Sequence, residues 1–216
     1  MKKLTSKIAA AFAACACAVP MFSTISANAE SEQFNTYRVY YDAAKTGIAE
    51  FNIEVRYNTD IKVGQSKATS LCQDGTFISV GSQDTGVYLT YYKGPSIMQT
   101  GTLATEKMIV PVSSDINDNL YRYISFDGSY ANDSSGNKMA PAALRIEAVL
   151  VGDANGDGII DLSDAITIIQ YANNPTGYPM NDENRRRAAD VDGDGVITTN
   201  DADLIQHFIL KLISHF

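Results

Sequence analysis

The stretches Asp153-Ala-Asn-Gly-Asp-Gly-Ile-Ile-Asp-Leu-Ser-Asp164 and Asp190-Val-Asp-Gly-Asp-Gly-Val-Ile-Thr-Thr-Asn-Asp201 set oxygen-bearing side chains at the same alternate positions of a twelve-residue frame. The sixth position of each is a glycine, Gly158 or Gly195, where the chain must turn sharply and a side chain would be costly. A frame of this kind wraps one hard cation, because calcium gathers six to eight oxygens around a single centre. The first frame offers Asp153, Asn155, Asp157, the Ile159 carbonyl, Asp161 and Asp164; the second offers Asp190, Asp192, Asp194, the Val196 carbonyl, Thr198 and Asp201. One acidic turn like this arises by chance. Two matched frames, 37 residues apart and each feeding an apolar helical stretch, predict two bound Ca2+ ions.

The frames depart from the helix–loop–helix hand of calcium sensors. Position twelve is Asp164 or Asp201, where glutamate is usual. What precedes Asp153 is Ala143-Ala-Leu-Arg-Ile-Glu-Ala-Val-Leu150, which alternates as a strand does. Each unit is therefore a loop plus its following helix. After the second loop Leu204, Ile205, Phe208, Ile209 and Leu212 recur at helical spacing; after the first, Ile166 and Ile169, flanked by Ala165 and Ile168, form a shorter stripe. Between them residues 181–189 read as a short helix, with Asn181 as its cap, acids in its first turn and arginines toward its end. Ile160 and Ile197, eighth in each frame, are expected to point inward and pair the loops. So small an all-α unit buries little apolar surface, so metal is expected to contribute much of its folding free energy and chelation to unfold it largely.

The residues ahead of this unit follow a different period. In Phe51-Asn-Ile-Glu-Val-Arg-Tyr57 the apolar residues alternate with polar ones, as on a half-buried strand. Similar segments fall at 77–80, 87–92, 107–112, 120–126 and 143–150, separated by Asp74-Gly75, Asp84-Thr-Gly86, Lys93-Gly-Pro95, Asn117-Asp-Asn119 and Asp133-Ser-Ser-Gly136. The fold class is thus mixed: an antiparallel β-sandwich over residues 30–150, then a small all-α calcium-binding module of two loop-helix repeats over 151–216. Residues 1–29 have a basic start, a short apolar run and a small-residue cleavage site at Ala27-Asn28-Ala29, and read as a secretory signal peptide. Its three lysines gone, the formal charge of −8 becomes about −11, which disfavours nucleic acid. No other stretch is apolar enough to span a membrane, so the mature protein is expected outside the cell. Of three cysteines only Cys72 survives cleavage, as a core residue or a half-exposed thiol, and no internal disulfide can form.

Gly152-Asp-Ala-Asn-Gly-Asp-Gly-Ile-Ile-Asp and Ala189-Asp-Val-Asp-Gly-Asp-Gly-Val-Ile-Thr, duplicated with Asp at position twelve, resemble the dockerin family, type I-like. The resemblance implies a docking module of a cellulosome component, bound with calcium to a cohesin domain of a scaffold protein. It further implies that the partner is read at Leu162, Ser163, Ile169 and Gln170 in the first repeat and at Thr199, Asn200, Gln206 and His207 in the second. Ile169 is equally readable as core.

Three payloads compete for the sandwich. Gly47-Ile-Ala-Glu-Phe-Asn-Ile-Glu-Val-Arg-Tyr-Asn58 weakly resembles an early cohesin strand, which implies an adaptor receiving another dockerin. Tyr88 with Tyr92, or Tyr121 with Tyr123, on one strand face would suit a carbohydrate-binding module for polysaccharide. Glu50, Glu54, Glu106 and Glu147 supply enough carboxylates for a small glycoside hydrolase, although none sits in a motif. The expectation is a non-catalytic adaptor in plant polysaccharide degradation.

Overall fold

Alternation and turn chemistry lead to ten strands in the computed structural model, which describes residues 32–112 and 120–216. They are β1 (Phe34–Ala43), β2 (Ile48–Tyr57), β3 (Lys62–Val63), β4 (Lys67–Ala68), β5 (Thr76–Ser82), β6 (Val87–Ile97), β7 (Gly101–Pro111), β8 (Ile124–Ser125), β9 (Tyr130–Asn132) and β10 (Leu144–Leu150). The signal-peptide reading of 1–29 and the turn at Asn117-Asp-Asn119 lie outside the described residues. One sheet runs β10-β1-β7-β3, with β4 also on β7; the other runs β5-β6-β2-β8, with β9 also on β2, and every pairing is antiparallel. Val39 and Tyr41 of β1, Phe51, Ile53 and Val55 of β2, and Leu103 and Met108 of β7 fill the space between the sheets.

Several local expectations are corrected. Lys93-Gly-Pro95 does not end a strand but lies inside β6. Ile48 pairs with Ile97 and Glu50 with Lys93, so three residues of β6 face one of β2 in a bulge. A bulge is where a proline, lacking an N–H, can sit within a sheet. The 120–126 segment is a 3-10 turn, Leu120–Arg122, closed by the Tyr123 N–H on the Leu120 carbonyl, followed by the two-residue β8. Tyr121 and Tyr123 therefore share no strand face. Tyr88 and Tyr92 do share one, but it faces the core, where Tyr92 stacks on Phe51 at 5.4 Å between ring centroids. Cys72 is buried, its thiol donates to the Leu103 carbonyl, and burial pushes its pKa up to about 11, which excludes the half-exposed thiol.

The C-terminal helices are α1 (Leu162–Asn173), α2 (Glu183–Ala189) and α3 (Thr199–Ile209). They bury Ala165 and Ile168 of α1 against Ala202 and Ile205 of α3, with Met180, Ala189 and Val191 closing a second core. Ile160 and Ile197 pack on that core as expected. The stripe of α1 is corrected, since Ala165 and Ile168 point inward while Ile166 is 47% exposed. Leu212 lies beyond α3, which stops at Ile209 as Lys211 turns to φ 56° and the Leu212 N–H returns to the His207 carbonyl. The cap of α2 is Asp182, one residue after Asn181; its carboxylate accepts from the Arg185 N–H.

β1 is buried on both faces. Its odd residues enter the sandwich core, while its even residues, Thr36, Arg38, Tyr40 and Asp42, seat the helical region. Tyr40 joins Val149 of β10 and Ala188 of α2 in a small apolar cluster. Asp42 accepts hydrogen bonds from Thr102, Arg145 and Arg187. The C-terminal tail comes back to the same strand: the Phe34 N–H donates to the Ser214 carbonyl and the Phe216 N–H to Thr36 Oγ1. Residues Gln33–Phe216 consequently make one compact unit.

Candidate metal centre

Each of the two loops is shaped by its own side chains bonding its own backbone. In the first, Asp153 Oδ1 accepts from the N–H groups of Gly156 and Asp157 at 2.9 and 3.0 Å, and its Oδ2 from Gly158 at 3.0 Å. In the second, Asp190 Oδ1 accepts from Gly193 at 3.0 Å and its Oδ2 from Gly195 at 3.2 Å. The third and fifth positions fold back likewise. Asn155 accepts from the Asp157 N–H and Asp157 from Ile159; Asp192 accepts from Asp194 and Asp194 from Val196. These are Asx turns, in which a short polar side chain replaces a backbone acceptor and curls the chain over itself. Gly158 and Gly195 stand at φ 86° and 90°, the left-handed region that glycine enters at least cost.

Position twelve ties each loop to its helix. Asp164 takes the Asn155 N–H on Oδ1 and the Asp161 N–H on Oδ2; Asp201 takes Val191 and Asp192 on Oδ1 and Thr198 on Oδ2. Both carboxylates are fully buried. Each is also the N3 residue of a capping box whose N-cap is Asp161 or Thr198, which accepts from Ser163 or Asn200. The ninth position thus starts the helix, and the twelfth closes the loop and caps the helix together.

Burial pushes the Asp153, Asp164 and Asp190 carboxyls above the ordinary aspartate range; at Asp190 the Arg38 guanidinium works against that rise. One carboxylate oxygen from each of Asp190, Asp192 and Asp194 lies within 4.8 Å of the others. Oxygen donors alone, several anionic and partly withdrawn from water, fit a hard divalent cation and not a soft one. Ile159 and Val196, expected to contribute carbonyls, turn their side chains to solvent at 52% and 59% exposure.

Of the residues expected to meet a partner, Leu162, Ser163, Gln170, Thr199, Asn200 and His207 are exposed and Gln206 is half-buried. Ile169 is half-buried and packs on the second core. Ile166 was missed: it stands one turn beyond the 58%-exposed Leu162 and extends an apolar strip that α3 does not share. The signal was its 37-residue counterpart, Asp203, which is charged where a core position would be apolar. Arg38 was missed too, because no local pattern links β1 to Asp190.

The family model described as the dockerin type I domain matches residues 151–210, and this segment is a dockerin type I-like module. Among solved structures the chain is similar to a type I cohesin–dockerin complex from Clostridium thermocellum ATTC 27405, at 15% identity and TM-score 0.39 over 50% of this chain and 79% of that one. It is also similar to a non-cellulosomal cohesin from the hyperthermophilic archaeon Archaeoglobus fulgidus, at 18% identity and TM-score 0.34 over 50% and 75%. No curated protein matches the chain. Among the described residues no helix is long and apolar enough to cross a membrane.

Proposed function

We propose that the chain is a secreted, non-catalytic cellulosome component that attaches through residues 151–216 to a cohesin domain of a scaffold protein. Residues 30–150 serve as a cohesin-like adaptor in plant polysaccharide degradation. The observation that carries this reading is the repeated carboxylate-to-backbone wiring of two loops inside the segment that matches the dockerin type I domain. One Ca2+ would be held by Asp153, Asn155, Asp157, Ile159, Asp161 and Asp164, and a second by Asp190, Asp192, Asp194, Val196, Thr198 and Asp201. When bound, the metal supplies the positive charge that lets clustered carboxylates stay ionised. The chain's own residues orient the docking face: the capping boxes fix where α1 and α3 leave the loops, and so where Leu162, Ser163, Thr199 and Asn200 point.

The non-catalytic reading is supported by the surroundings of the sandwich glutamates. Glu106 is buried against Tyr41 and Ser66, Glu50 pairs with Lys93, Glu54 with Arg56, and Glu147 with Arg145 and Arg187. Capture of scaffold cohesins by the full mature chain, with calcium and then with a chelator, tests attachment. Unrelated dockerins and soluble polysaccharides offered to the same chain test the adaptor role. Capture unaffected by the chelator would defeat the calcium-dependent reading.

A further inference from the structure

The two loops repeat each other down to an arginine laid across the same two positions, but the arginines come from different places. In the first loop, Arg185 of α2 donates through Nε to the carbonyl of Ala154, the second position, at 2.9 Å. A side chain built on Gly156, the fourth position, would meet the Arg185 stem at 3.6 Å. In the second loop the arginine is Arg38 of β1. Its Nη2 donates to the carbonyl of Val191, again the second position, at 3.3 Å, and its Nη1 to the Asp190 carbonyl at 2.9 Å. A side chain on Gly193, again the fourth position, would come within 2.8 Å of Arg38 Nη2.

We propose that Arg38 makes the sandwich a working part of the second calcium loop, positioning it as Arg185 positions the first, so that calcium held by the second loop depends on β1. The inference rests on the calcium reading above and assigns Arg38 as a positioning residue. Its guanidinium also lies 3.8 Å from Asp190 Oδ2, an ion pair with both side chains partly open to water. That charge opposes a cation in the loop, but it stands 3.8 Å off, while two charge-assisted hydrogen bonds at 2.9 and 3.3 Å fix the backbone where the loop begins. Positioning therefore prevails, and removing the fork weakens the second site. Lysine cannot replace the fork, since an ammonium does not span two carbonyls in fixed geometry.

Calcium titration by calorimetry, with site-resolved amide hydrogen exchange on the calcium-loaded full mature chain, tests the proposal. Arg38→Lys and Arg38→Met should each weaken one of two calcium sites by about tenfold or more, the range of losses seen when an outer-shell partner is removed. Both should speed exchange across 191–209 while leaving 154–173 unchanged, and Arg185→Met should do the reverse. Tighter calcium binding in Arg38→Met, with Arg38→Lys unchanged, would show that charge competition dominates and would overturn the proposal. Equal weakening of both sites would overturn it as well, by reducing Arg38 to general support of the fold. An unchanged chain that binds no calcium would instead defeat the metal reading itself, and the proposal with it.

Discussion

Arg187 of α2 and Asp42 of β1, 145 residues apart in sequence, meet with Arg187 Nη2 3.1 Å from Asp42 Oδ2. The guanidinium also covers the ring of Tyr40 at 3.9 Å, and the two side chains are 10% and 5% exposed. Arg145 and Thr102 complete the Asp42 shell, so the carboxylate is fully engaged where the sheet and the helices join. The helical region is thus anchored by polar bonds made on the outer face of a strand whose inner face serves the sandwich core.

Asp42→Ala should cost about 3 kcal/mol of unfolding free energy, because it leaves Arg187 largely withdrawn from water without the nearer of its two strand carboxylates. Arg145→Ala should cost under about 1 kcal/mol, since that arginine is half exposed and Arg187 still serves Asp42. Denaturant unfolding in excess calcium measures both, and equal costs would contradict the role given to Arg187.

Glu106 carries a pH signature. Burial raises its pKa from 4.5 to about 7, against the lowering effect of hydrogen bonds donated by Tyr41 and Ser66. A folded pKa above the unfolded one means that the folded state holds the proton more tightly. The stabilisation is complete below pH 4.5 and is lost as pH rises through about 7. The shift corresponds to about 3 kcal/mol. Glu106→Gln should therefore gain stability relative to the unchanged chain by about that amount between pH 4 and pH 8. Parallel stability curves for the two proteins would show that Glu106 titrates normally.

Asp201→Ala removes the acceptor for three backbone N–H groups, that of Thr198 being one arm of a capping box, at a fully buried site. Thermal unfolding in saturating calcium should show a loss of about 3 kcal/mol or more. Asp203→Ala, on the exposed side of the same helix, should stay within about 0.5 kcal/mol. Comparable losses would mean that position twelve is no anchor.

Leu162→Asp and Ile166→Asp should each lower affinity for a captured cohesin by about tenfold or more, with little change in melting temperature, since both side chains face solvent. Ile168→Ala, at the centre of the second core, should instead destabilise by about 2–5 kcal/mol. Retained cohesin affinity in both aspartate variants would place the docking face elsewhere.

The loops were legible because their chemistry is local: Asp153, Asp157, Asp190 and Asp194 act within five residues of themselves, so spacing carries the geometry. β2 was legible because one of its faces is wholly apolar. Pro95 misled because a bulge is set by the partner strand, and the partner is not adjacent in sequence. The even residues of β1 are mostly polar, yet Thr36 and Asp42 are buried, engaged by Phe216 of the C-terminal tail and by Arg187 of α2, more than a hundred residues later in the chain. On α1 the periodicity was right but its phase was not: Ile166 and Ile168 are equally apolar, and only the position of α3 decides which one is covered.

Docking through a calcium-shaped module is tested most directly by calorimetric titration of a scaffold cohesin that the full mature chain captures. The unchanged chain is compared with an Asp157→Ala, Asp194→Ala double variant, each in calcium and in chelator. The prediction is saturable binding by the unchanged chain in calcium, its loss in chelator, and loss or severe weakening in the double variant even with calcium. Binding that survives both the chelator and the paired substitutions would contradict the account.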